Sequence, residues 1–150
     1  MHMKKIIILL AMVALVAGCS GMQITGDANN QAMAYIAGKG MAIGIYKVQP
    51  KAAPAIEQSW MDMMGRSYGL AEISAAEMQG FFNEVLLKNI PTLKNDPYGL
   101  SGDLAFFATL YGAQFNPLGQ METVKPIPMI VAKAFQAGYE GGRSIAIAMK

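Results

Sequence analysis

Two stretches far apart in the chain carry the same pattern of small residues. AYIAGKGMAIGI (34–45) laid on GYEGGRSIAIAM (138–149) matches Tyr35 with Tyr139, Gly38 with Gly142, Ala42 with Ala146 and Ile43 with Ile147. Small residues recur every fourth position, at Ala34, Gly38 and Ala42 in one and at Ala134, Gly138, Gly142 and Ala146 in the other. Such positions share one face of a helix. An interior glycine costs a helix roughly 1 kcal/mol relative to alanine, so a stripe of them signals a close approach to the backbone. The expectation is that the first and last helices of one bundle pack small face to small face and bring the termini together. A chance likeness of two Gly/Ala-rich helices and a duplicated unit stay open as alternatives. The pattern is best known from membrane helix pairs, but Lys39 and Arg143 in mid-stretch argue against a membrane span.

Proline and glycine punctuation divides the rest of the chain into helices. The first is expected over 28–47, with Asp27 as N-cap and Pro50 beyond its end. The second covers 53–66, with Pro54 in the opening turn, where a missing N–H costs nothing. The third starts at the capping-box sequence Ser74-Ala75-Ala76-Glu77 and stops at Pro91. Its stripe Met78, Phe81, Phe82, Val85, Leu86 has the spacing of one buried helical face. A fourth, apolar on nearly every side, runs over 101–115. A fifth begins near Pro126 or Pro128 and continues to Lys150. The fold expected is all-α, a compact bundle of about five helices. The alternative is a small α+β fold in which 34–48 forms a hairpin turning at Gly38-Lys39-Gly40.

The first twenty residues read as a targeting segment. Lys4 and Lys5 precede an unbroken apolar run, Ile6 to Ala17, that as a helix spans about 18 Å. A bilayer core is roughly 30 Å thick, so the run suits a signal peptide better than a membrane span. Val16-Ala17-Gly18-Cys19 resembles the lipobox of bacterial lipoproteins. The resemblance implies cleavage after Gly18, a diacylglycerol thioether on Cys19 and an acyl chain on the new amino terminus. Several chains anchor firmly where one holds marginally. Ser20 after the cysteine is similar to an outer-membrane sorting choice, which places the protein on the inner leaflet of that membrane, facing the periplasm. The expected organisation is signal peptide 1–18, lipidated N-terminus and tether 19–26, and one helical domain 27–150.

Removing 1–18 also removes His2, the only histidine, and acylation consumes the only cysteine. Ser-His-Asp and Cys-His catalysis and ordinary His/Cys zinc sites are then excluded. The sequence has no GxSxG, SxxK or GxxxxGK[ST] motif, and an enzyme is not expected. Lys4 and Lys5 account for the whole formal excess of +2, so the domain offers no electrostatic footprint for nucleic acid. Charged residues make up 15% of the chain, against about 25% in typical soluble domains. The apolar surface this implies calls for a membrane, an envelope protein partner or self-association.

The function expected is therefore a structural or adaptor lipoprotein of the bacterial envelope, with no cofactor apart from the covalent lipid. Three binding readings stand beside it. Lys39, Arg143, Tyr35 and Tyr139 could form a cationic pocket for an anionic headgroup. Thioethers select Cu(I), and Met61 and Met64 lie beside Trp60, although methionine more often fills irregular gaps in a core. A carrier of a lipid or other apolar ligand would show a cavity near Phe106, Phe107 and Trp60.

Overall fold

The computed structural model describes residues 25–91 and 125–149, together with the strand segments 114–115 and 121–123. Helix α1 (Ala28–Val48) begins where the Asp27 carboxylate accepts the Asn30 N–H at 2.8 Å, which satisfies one of the first-turn amides left open by the helix. The Thr25 hydroxyl donates to the same carboxylate, and these bonds, Thr25 first, hold Asp27 below its ordinary pKa. The helix closes with the Gln49 N–H on the Ile45 carbonyl, just before Pro50. Helix α2 (Ala53–Arg66) has Pro54 in its first turn. A turn through Gly69, at φ +84°, leads to the short strand β1 (Glu72–Ile73).

Helix α3 starts at Ser74, whose Oγ accepts the Glu77 N–H at 3.3 Å. It runs as an α-helix over Ala75–Gly80, widens into a π-helix over Phe81–Leu86, and ends as a short α segment, Leu87–Asn89. In the wide turn the Leu87 N–H reaches the Phe82 carbonyl, five residues back. Phe81, Phe82, Leu86 and Leu87 are all buried. Beyond it, β2 (Gln114–Phe115) pairs antiparallel with β3 (Met121–Thr123). Strand β4 (Ile127–Pro128) pairs antiparallel with β1, and Ile127 lies opposite Ile73, both fully buried. Helix α4 (Met129–Ala148) follows at once, tied to the same corner by the Met129 N–H on the Ala71 carbonyl at 2.8 Å.

The expected all-α bundle of five helices is thus overturned. The described residues hold four helices and two antiparallel strand pairs, an α+β arrangement. The expected fourth helix, 101–115, lies outside the described residues except at its end, where 114–115 is strand. The hairpin considered at 34–48 is not where the strands are, since that stretch is the body of α1. The strands escape a pattern reading because they are two or three residues long, too short to show alternation.

Helices α1 and α4 meet through their small faces. Ala34, Gly38 and Ala42 of α1 and Gly138, Gly142 and Ala146 of α4 are all buried. A β-carbon at Gly38 would lie 2.1 Å from the Phe135 carbonyl oxygen, and one at Gly142 would lie 2.3 Å from that of Lys39. One at Gly26 would meet Ile130 at 3.0 Å. The contacts advance along both helices in the same sense, from 26 with 130 to 39 with 142, so the pair is parallel. The start of α1 is therefore not brought to the end of α4, and the chain termini themselves lie outside the described residues. The start of α1 lies beside the start of α4, and Met149 lies a helix length away, about 30 Å. The larger core residues, among them Ile45, Ile56, Met63, Met78, Phe82 and Phe135, fill the space between this pair and α2 and α3.

Candidate cleft between the helices

Beside the glycine seam, α4 carries Phe135, Tyr139 and Arg143 at successive four-residue steps, which aligns them on one face. Helix α2 presents Glu57, Trp60 and Met61 by the same rule. Together with Met41 of α1 and Phe81 of α3 they line a half-open cleft of about 420 Å³. Ligand pockets commonly range from about 300 to 1,000 Å³.

The floor is aromatic. The Trp60 and Phe81 rings stand 5.2 Å apart and nearly perpendicular, Trp60 and Phe135 are 4.8 Å apart, and Phe135 and Tyr139 are 6.4 Å apart. Edge-to-face and tilted pairs of this kind are the favoured arrangements for quadrupolar rings. The π turn of α3 contributes by placing Phe81 against Trp60 while Phe82 stays in the core beneath.

Two of the lining residues carry a buried donor that makes no close hydrogen bond, Trp60 through its indole Nε1 and Tyr139 through its hydroxyl, although the Glu57 carboxylate stands near enough to the Tyr139 hydroxyl to act on it as an acceptor. Leaving such a group unsatisfied costs about 1–3 kcal/mol. Burial, followed by the nearby Glu57 and Tyr46, raises the Tyr139 pKa well above its ordinary value, so the phenol stays neutral. The Glu57 carboxylate accepts the Tyr46 hydroxyl at 2.8 Å and lies 3.7 Å from the Arg143 guanidinium. Tyr46 is also shifted upward, by burial first and Glu57 second. At the rim, Gln136 Nε2 donates to Glu140 at 3.0 Å and to the Met61 sulfur at 3.4 Å.

A smaller notch lies on the other side of α2, lined by Ser59, Asp62, Arg66 and Glu77 among others. Its Glu77 carboxylate is already engaged. It accepts from Ser67 at 3.1 Å and Ser74 at 3.2 Å, and lies 3.6 Å from Arg66.

The residues singled out from the sequence are distributed as follows. Tyr139 and Arg143 line the cleft; Tyr35 and Lys39 do not. Tyr35 is 42% exposed, with its hydroxyl toward Gly141, and the Lys39 backbone carbonyl forms part of the glycine seam. Met61 is half exposed at the cleft, whereas Met64 packs against the core. Trp60 is on the cleft wall, while Phe106, Phe107 and Cys19 lie outside the described residues. Phe135, Glu57 and Gln136 were not among the expected site residues. The signal that could have found Phe135 is its four-residue spacing to Tyr139 and Arg143. No family model, no curated protein and no solved structure matches this chain.

Proposed function

We propose that this chain binds and carries a small, largely apolar ligand in the cleft between α2 and α4, and that a lipid on Cys19 holds it at the bacterial envelope. The observation that carries the reading is the cleft itself: an aromatic floor of ligand size, with a buried indole donor on its wall that the protein leaves unpartnered. A purely structural packing face has no use for such a donor, whereas a binding site gains from it when a ligand supplies the acceptor. Among the described residues the cleft is lined by no histidine, cysteine or serine, and the reading is one of binding. The adaptor reading draws on exposed Ile36, Tyr68 and Leu70. It is the weaker of the two, because single apolar side chains on a surface are ordinary.

Native mass spectrometry of protein purified gently from cells expressing the full chain tests both parts. A defined added mass, released by organic extraction, supports the carrier. A bare mass in every preparation favours the adaptor. Mass analysis of the N-terminal peptide is expected to show an acylated Cys19, and a free amino terminus upstream of it would overturn the anchor.

A further inference from the structure

The cleft also restricts what kind of ligand it admits, an inference that rests on the carrier reading above. Its ionised groups are Glu57, Glu140 and Arg143. Arg143 faces Glu57 at 3.7 Å in a half-exposed pair, and the Glu140 carboxylate at the rim has the neutral Gln136 as its hydrogen-bond partner. Two carboxylates against one guanidinium make the charge balance of the wall acidic, which disfavours an anion. The groups that make no close hydrogen bond are both neutral donors: the indole N–H of Trp60, a residue 7% exposed, and the phenol of Tyr139, which has the Glu57 carboxylate nearby. A donor of this kind is satisfied by a carbonyl, ester or ether oxygen and does not require a charge.

We infer that the cleft selects an uncharged amphiphile, with an apolar body over Trp60, Phe81 and Phe135 and a neutral acceptor oxygen taken by Tyr139 or Trp60, and that it rejects the corresponding carboxylate. The distinction separates an ester, ketone or amide from a fatty acid or phosphate of the same length. A site built to bond an oxygen also discriminates against a hydrocarbon that lacks it, because its own donors then stay unpaired.

Trp60 is the only tryptophan in the chain, which makes it a reporter placed at the site. Protein purified from cells expressing the full chain is titrated at neutral pH with three bromine-tagged probes that quench indole on contact: ω-bromooctanoate, its methyl ester, and bromooctane. The ester is expected to quench at concentrations roughly tenfold lower than the carboxylate, the effect of one unfavourable charge in a partly screened site. It is also expected to outbind bromooctane. Tyr139→Phe, which keeps the ring and the reporter, should weaken the ester several-fold and leave bromooctane unchanged, as a general loss of structure would not. Equal or tighter binding of the carboxylate overturns the inference, as does an ester no better than bromooctane. Quenching by none of the three overturns the carrier reading itself.

Discussion

The Cα of Gly138 sits directly against the backbone carbonyl of Tyr35, so closely that a β-carbon at 138 would come within 1.9 Å of that oxygen. Gly38 and Gly142 repeat the relationship on either side of it, against Phe135 and Lys39. The two helices thus touch backbone to backbone over several turns. Their combined glycine cost is offset by dense contact along the seam, where each missing side chain lets a neighbouring main chain approach.

Gly138→Ala is expected to destabilise the protein by about 3 kcal/mol, because backbone on the opposite helix cannot yield as a flexible side chain can. Gly65→Ala is the control. Nothing lies within 4 Å of a β-carbon there, inside α2, and the substitution should stabilise by roughly 0.5–1 kcal/mol. Urea unfolding of the two variants measures both. A neutral Gly138→Ala would show that the seam is not as tight as described.

Alkaline stability follows from Tyr139. Its folded pKa is raised by burial above the ordinary value near 10, so the folded state holds the phenol proton more tightly than the unfolded chain. The contribution is fully present below pH 10 and is lost as pH rises from there toward the folded pKa. Thermal melts should therefore fall above about pH 10, and Tyr139→Phe should melt at more nearly constant temperature over the same range. Below pH 9 the same variant is expected to lie within about 1 kcal/mol of the parent, since the buried hydroxyl it removes makes no close hydrogen bond.

Ser67 is fully buried and its hydroxyl donates to the Glu77 carboxylate at 3.1 Å. Ser67→Ala takes a donor from a charged acceptor and should cost about 2 kcal/mol. By contrast Arg143→Ala breaks an ion pair whose arginine is half exposed, and its effect on stability should stay within about 0.5 kcal/mol. Paired denaturation curves separate the two. If Arg143→Ala cost as much as Ser67→Ala, the pair would be more deeply held than its exposure indicates.

The lone Trp60 is 7% exposed and ringed by Phe81 and Phe135. Its emission should be blue-shifted relative to free indole and resistant to iodide, and unfolding should remove both properties together. An emission resembling that of exposed indole in the folded protein would place Trp60 outside the cleft wall.

Much of the local structure was legible in the residues. Asp27, Pro50 and Pro54 punctuate α1 and α2 where capping chemistry says they should, and Ser74 opens α3 through its own hydroxyl. The Glu77 carboxylate accepts the Ser74 hydroxyl and reaches beyond the motif to Ser67 and Arg66 as well. Of the expected stripe, Met78, Phe81, Phe82 and Leu86 are buried and Val85 is partly so, but the backbone beneath it is partly π. Periodicity reports which residues face the core and not which hydrogen-bond ladder holds them.

The sequence by itself determined that α1 and α4 would each carry a face of small residues, because four-residue spacing and the helical period are local facts. Only the tertiary structure decided that the two helices run parallel, since a stripe of glycines reads the same in either direction. Tertiary structure also decided the pairing of Ile73 with Ile127 and the meeting of Trp60, Phe135 and Tyr139 in one cleft. These contacts join residues more than fifty positions apart. Each depends on how the chain between them folds back, and that is set by burial of the whole core rather than by any one segment.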